Sequence, residues 1–222
     1  MNKISQGQTS EVKSLFKNLS ATAEKKAVEA SSVSMQTSPL LQQAQEDYIR
    51  SLNLFRDASG KLASSIEKKA TAAEIINAVE QESSYVSALQ FSLSAQQEYY
   101  HAMMKWGSSV DPNIPAEYNA AANLDVKQWS ALPLIVKNKV IADQLKDYKQ
   151  ITVYYPHDLT SKVDDLIQSG QAAKLKLQTL PAVVELLVNT EAVRSGDFLD
   201  NKVRLYQQAV LPQLPFFSAQ SN

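Results

Sequence analysis

Along the first half of the chain, apolar residues recur in alternating steps of four and three, the spacing that lines side chains along one seam of an α-helix. Val12, Phe16, Leu19, Ala23, Lys26, Ala30 and Val33 hold this rhythm with Lys26 as the exception. Tyr48, Leu52, Phe55, Ser59, Leu62 and Ile66 hold it except at Ser59. Ile75, Val79, Glu82, Val86, Leu89, Leu93, Gln96, Tyr100 and Met103 break it only at Glu82 and Gln96. Between the first two runs lies a Ser/Thr/Gln-rich stretch, where Ser38 can cap and Pro39 can open a helix at no loss of a hydrogen bond. Two breaks compete within residues 39–106: Ser59-Gly60, a possible left-handed terminator, and Thr71-x-x-Glu74, a capping-box pattern. No Pro, Asn or second Gly supports a reversal at either place. The expectation is a continuous or kinked rod, about 100 Å long at roughly 1.5 Å per residue.

The second half reads differently. Of eight Pro, only Pro39 precedes residue 111, and acid usage shifts from nine Glu and two Asp before Ser108 to three Glu and nine Asp after it. Asp favours caps and turns where Glu tolerates helix interiors, so shorter and more often interrupted helices are expected. Trp106-Gly107-Ser108-Ser109 ends the rod, and Asp111-Pro112-Asn113-Ile114-Pro115 reads as a linker. Residues 134–149 suit a helix. Ile151, Val153 and Tyr155 then alternate in strand fashion, but six residues without a second strand make no sheet within one chain, and an extended connector is expected. Leu159, Val163, Leu166, Gly170, Ala173, Leu177 and Leu180 resume the four-three rhythm. Pro181 opens a further helix through Val193, and Ser195-Gly196-Asp197 precedes a last one over 198–211. The fold class is therefore all-α: an elongated helical bundle of coiled-coil-like long helices over 1–107, a linker at 108–115, and a set of shorter helices over 116–222 packing on the rod end.

Composition narrows function by exclusion. The 222 residues are 44% hydrophobic and 20% charged, with a formal charge of −1, enough for a real core and without the basic excess that nucleic-acid binding uses. Lys and Arg occur in scattered pairs such as Lys25-Lys26 and Lys68-Lys69, so no basic face for anionic lipid stands out. With no Cys, thiolate metal sites and Cys nucleophiles are impossible, and five Gly and two His supply phosphate loops and His-rich metal sites poorly. Residues 1–15 hold no apolar core of a secretory signal, and no later window has the length of a membrane span. A cytoplasmic location is expected, with export by a signal-peptide-independent route as the alternative.

Candidate chemistry is sparse. Glu98-Tyr99-Tyr100-His101 places a Glu-x-x-His on a helix, the unit that di-iron bundles use in two copies, but one copy is present. His157, in Tyr155-Pro156-His157-Asp158, suits a turn. Glu46-Asp47, Glu80 with Glu82, and Asp164-Asp165 are too close in sequence to face each other as an acid–base pair and read as solvated faces. No catalytic residue, metal or cofactor is expected. Two features suggest contacts instead. Tyr99, Tyr100, Met103, Met104 and Trp106 form an aromatic and Met-rich group of the kind enriched in interfaces, unless the later helices bury it. The apolar, Pro-containing tail from Leu211 to Phe217 either docks on the protein or is a recognition peptide. The candidate interaction residues are Tyr99, Met104, Trp106, Leu214, Phe216 and Phe217. The function expected is a non-catalytic scaffold or protein–protein interaction protein that self-associates through the heptad-like seam. A peripheral membrane or secreted helical protein is the alternative, and a carboxylate-bundle metalloprotein the third.

Overall fold

A computed structural model describes residues 9–36, 38–66 and 70–212. The fold is all-α: among the described residues there are ten α-helices, one 3₁₀ turn and no strand. The chain forms two compact units, Met1–Glu98 and Tyr99–Asn222.

The first unit contains α1 (Thr9–Ser31), a 3₁₀ turn at Pro39–Leu41, α2 (Gln42–Ser65), α3 (Ala72–Gln81) and the beginning of α4 (Ser83–Val110). The expected rod over 39–106 is not formed. α2 ends at Ser65, and Thr71 starts α3 with a reciprocal capping box: Glu74 N–H donates to Thr71 Oγ1 while Thr71 N–H donates to Glu74 Oε2 at 2.7 Å. Gly60, the rival break, stays inside α2. A single Gly lacks the polar partners needed to end a helix, whereas the box satisfies two backbone donors. The chain then reverses. Ser20 Oγ donates to Arg56 O, so α1 runs antiparallel to α2, and Ser51 Oγ donates to Ala88 O at 2.8 Å, with Phe55 edge-on to Tyr85, so α2 runs antiparallel to α4. The largest apolar cluster of this unit gathers Val12, Phe16, Leu62, Ile66, Ile75 and Val79 at one end.

The second unit contains residues 99–110 of α4, α5 (Val126–Ser130), α6 (Leu134–Asp147), α7 (Pro156–Gln168), α8 (Gln171–Lys174), α9 (Leu180–Asn189) and α10 (Asp197–Leu205). Its core is built from Trp129, Ile135, Ile141, Leu145, Leu159, Val163, Val183, Leu187 and Phe198, joined by Tyr100, Met103 and Met104 from α4. Gly107 has a steric reason here: a Cβ would lie 3.0 Å from Ile135 Cδ1 and 3.2 Å from Ile114 Cδ1. The four-three run from Leu159 to Leu180 is not one helix. Gly170 takes a left-handed φ of 76° and Lys176 one of 58°, so the chain turns twice before α9. Val126 N–H donates to Gln178 O and Leu180 N–H to Leu124 O, which fastens the start of α9 beside that of α5 through a single antiparallel bridge. Residues 150–155 connect α6 to α7 without forming a helix, but they bend at Val153 and Tyr154 where an extended connector was expected, and the last helix stops at Leu205, short of the expected 211.

Candidate functional site

The buried charged and titratable side chains of the second unit gather mainly at α7, with His157, Asp158 and Asp164 on the helix and Lys137 paired to it. Pro156 occupies the first turn of this helix, where its missing N–H is not needed, and brings His157 and Asp158 inward. Asp158 acts as a double cap. Its Oδ2 accepts from Tyr155 N–H, and its Oδ1 accepts from Gly196 N–H and Phe198 N–H, both at 3.1 Å. The same carboxylate therefore ties the beginning of α10 to the beginning of α7. Gly196 reaches that position with a φ of 99°, which few other residues tolerate. Burial pushes the Asp158 carboxyl above its ordinary range, while the backbone donors act in the opposite direction.

His157 lies 2.7 Å from the Tyr100 hydroxyl through Nδ1 and packs edge-on against Phe198. Burial holds the Tyr100 phenol well above its usual pKa and lowers His157 to about 4. The phenol keeps its proton and the imidazole is neutral, so the two share one hydrogen bond between uncharged groups. A base with that pKa is weak at neutral pH, and Tyr100 is 3% exposed.

About two turns further along α7, Asp164 collects three donors. Trp129 Nε1–H reaches Oδ1 at 2.8 Å, Lys137 Nζ reaches both oxygens at 3.0 and 3.1 Å, and Tyr206 O–H reaches Oδ2 at 2.7 Å. Burial, followed by the Asp164 charge, raises the Tyr206 pKa. The sequence reading of Asp164-Asp165 as a solvated face is thus wrong for Asp164, which is 2% exposed, and Asp165 alone faces outward to meet Arg204. Adjacent residues on a helix are about 100° apart, so one of the two can enter the core while the other stays out. No signal in the carboxylate itself marked this. Trp129, Lys137 and Tyr206 are all distant in sequence.

His101 sits apart from this network. Its Nε2 lies 3.0 Å from Glu117 Oε2, and Lys105 lies 3.5 Å from the same carboxylate, which is held below its ordinary pKa chiefly by the bond to His101. Glu98 shares the helix with His101, but among the described residues no group of three or more His, Asp or Glu is arranged to hold a metal. Of the candidate interaction residues, Met104 is fully buried in the core of the second unit, and Tyr99 and Trp106 are partly buried against that core. Leu214, Phe216 and Phe217 lie outside the described residues.

The exposed large apolar side chains of the second unit concentrate elsewhere. Between α6 and α7, Tyr148 is 59% exposed, Ile151 44%, Val153 95% and Tyr155 56%, whereas the intervening Thr152 and Tyr154 are partly covered. Beside this segment, Leu145, Tyr148, Gln150, Val184, Val188 and Glu185 line a cleft of about 360 Å³ between α6 and α9. The alternation of Ile151, Val153 and Tyr155 in the sequence thus falls on an exposed connector. Among the described residues no helix is long and apolar enough to cross a membrane. No protein-family model, curated protein or solved structure matches the chain.

Proposed function

We propose that this chain is a non-catalytic helical interaction protein that self-associates, using the uncovered apolar surface at residues 148–155. The observation that carries this reading is the concentration of Tyr148, Ile151, Val153 and Tyr155 on one short non-helical segment, since apolar surface left in water is the commonest mark of a contact site. The fate of the polar groups supports it. His157, Asp158, Asp164 and Lys137 are buried in bonds that join helices, a structural use of residue types that enzymes employ for catalysis. In unit 1 the long-helix seam is partly covered already: Val12, Phe16, Leu62 and Ile75 are buried in one cluster. Self-association therefore needs a surface other than that part of the seam.

Sedimentation equilibrium from about 1 to 100 µM tests the reading, because mass action shows a self-associating chain as a rising average mass. The expected result is such a rise, lost in Val153→Asp. A wild type monomeric throughout that range overturns it. The same apolar surface favours a second reading, contact with a lipid surface, which flotation with neutral phosphatidylcholine vesicles would reveal.

A further inference from the structure

Three features of residues 150–155 bear on what covers them. Exposure alternates, with Ile151, Val153 and Tyr155 outward and Thr152 and Tyr154 inward, the period of a strand with an apolar outer face. None of the backbone hydrogen bonds among the described residues is made by the N–H of Ile151, Thr152, Val153 or Tyr154, while the flanking N–H groups are taken, Gln150 by Leu145 O and Tyr155 by Asp158 Oδ2. Finally, no residue from Gln150 to Pro156 carries a charge.

From these we infer that residues 151–155 form an antiparallel two-stranded ribbon with the same residues of a second copy of the chain, its two-fold axis passing at Val153. This rests on the self-association reading above and specifies its contact. Pairing about Val153 sets Ile151 opposite Tyr155 of the other copy on both sides, so each outward side chain meets an apolar partner, in the aliphatic–aromatic combination that cross-strand pairs favour. The hydrogen-bond register follows from which donors are free. If Val153 were a hydrogen-bonded pair, the next bonded pair would need the Tyr155 N–H, which Asp158 holds. If Val153 is the non-hydrogen-bonded pair, Thr152 and Tyr154 exchange N–H···O bonds across the axis, and both of their N–H groups are free. Only the second register uses the free donors, and its formation releases the Tyr154 carbonyl from the Thr152 hydroxyl, which bonds it at 2.7 Å in the bent segment.

Symmetry suits the surface as well, because a two-fold contact brings each group near its own image and an uncharged segment meets no like charge there. A lipid surface would cover the side chains but could not bond the Thr152 and Tyr154 N–H groups, which favours a strand as occupant. The chain bends at Val153 and Tyr154, and pairing straightens that bend. A ribbon this short makes a weak and transient contact, so a trap suits it better than mass measurement alone.

The absence of native cysteine makes the trap clean. In a non-hydrogen-bonded pair the Cα atoms lie about 4.5 Å apart, within disulfide range. Under mild oxidation with copper phenanthroline, Val153→Cys should form a covalent dimer at least about tenfold faster than Val203→Cys on α10, since paired thiols share a raised effective concentration. Adding Thr152→Pro, which deletes one of the two bonding N–H groups outside any helix, should remove the acceleration while far-ultraviolet helicity is kept. Equal rates for the two cysteine variants, in a wild type whose mass still rises with concentration, overturn the ribbon and leave self-association standing. Fast trapping that survives Thr152→Pro also overturns the ribbon, reducing the contact to side chains. A wild type that stays monomeric to about 100 µM overturns the self-association reading and the ribbon with it, whatever the trapping rate.

Discussion

Asp164 and Asp165 are neighbours in sequence and opposites in energetics. Removing Asp164 leaves the Lys137 ammonium buried without its counter-charge and strips the acceptor from Trp129 and Tyr206, a loss of about 3–5 kcal/mol by the usual cost of breaking a buried pair. Removing Asp165 breaks a solvent-screened pair with Arg204, for which less than about 1 kcal/mol is expected. Urea unfolding of Asp164→Ala and Asp165→Ala should show this contrast directly. A second residue-scale outcome concerns acid. His157 is neutral in the fold with its pKa pushed down to about 4, against an ordinary 6.5 in the unfolded chain. Between those values the unfolded chain binds the extra proton and the folded one does not. The His157 contribution is therefore full above pH 6.5 and falls as pH drops, reaching a loss of about 3 kcal/mol near pH 4. Asp158, shifted upward, acts with the opposite sign. The stability difference between wild type and His157→Gln, which keeps a partner for Tyr100, cancels the shared carboxylates and should change with pH only in that window.

At the scale of elements, the packing of the first unit depends on small side chains. Ala44, Ser51 and Ala58 lie seven apart on α2 and are buried, as are Ala88 and Ala95 on α4 and Ala23 and Ala27 on α1. Such residues let backbones approach closely enough for Ser51 to bond directly to a carbonyl of α4. Ala58→Leu is expected to cost about 1–3 kcal/mol through overpacking, read as a lower urea midpoint, although Leu is a good helix former. This is also where the sequence was hardest to read. Helix existence was legible from the four-three rhythm, and α6 began at Leu134 as its pattern indicated. Which face turned inward was less so, because a search for large apolar residues favours a period of 3.5, and a straight helix with 3.6 residues per turn drifts off that line. The first heptad line gave Leu19 on α1 and Val33 just past its end, both exposed, while Ser20 bonds α2 in the place expected of Leu19. The reversal between α2 and α3 was visible as Thr71-x-x-Glu74 but had no independent support. The polar network around Asp164 joins residues from 129 to 206, and no local spacing announces a bond between positions so far apart.

For the molecule as a whole, self-association through residues 148–155 predicts a thermal midpoint that depends on protein concentration, since a contact made only by the folded chain stabilises it by mass action. Calorimetry over a hundredfold dilution series should show the midpoint falling for wild type and staying constant for Val153→Asp. One further property concerns chemical reactivity. The ammonium groups of Lys137 and Lys139 are buried, the first held by Asp164 and the second by the Tyr118 carbonyl and Asp143. An acylating reagent attacks the free amine, so both should resist modification under conditions that label the exposed lysines, and should react only when the second unit opens. Their acylation rates, followed by peptide mass spectrometry, then time the opening of that unit in the native protein, without denaturant and without any mutation.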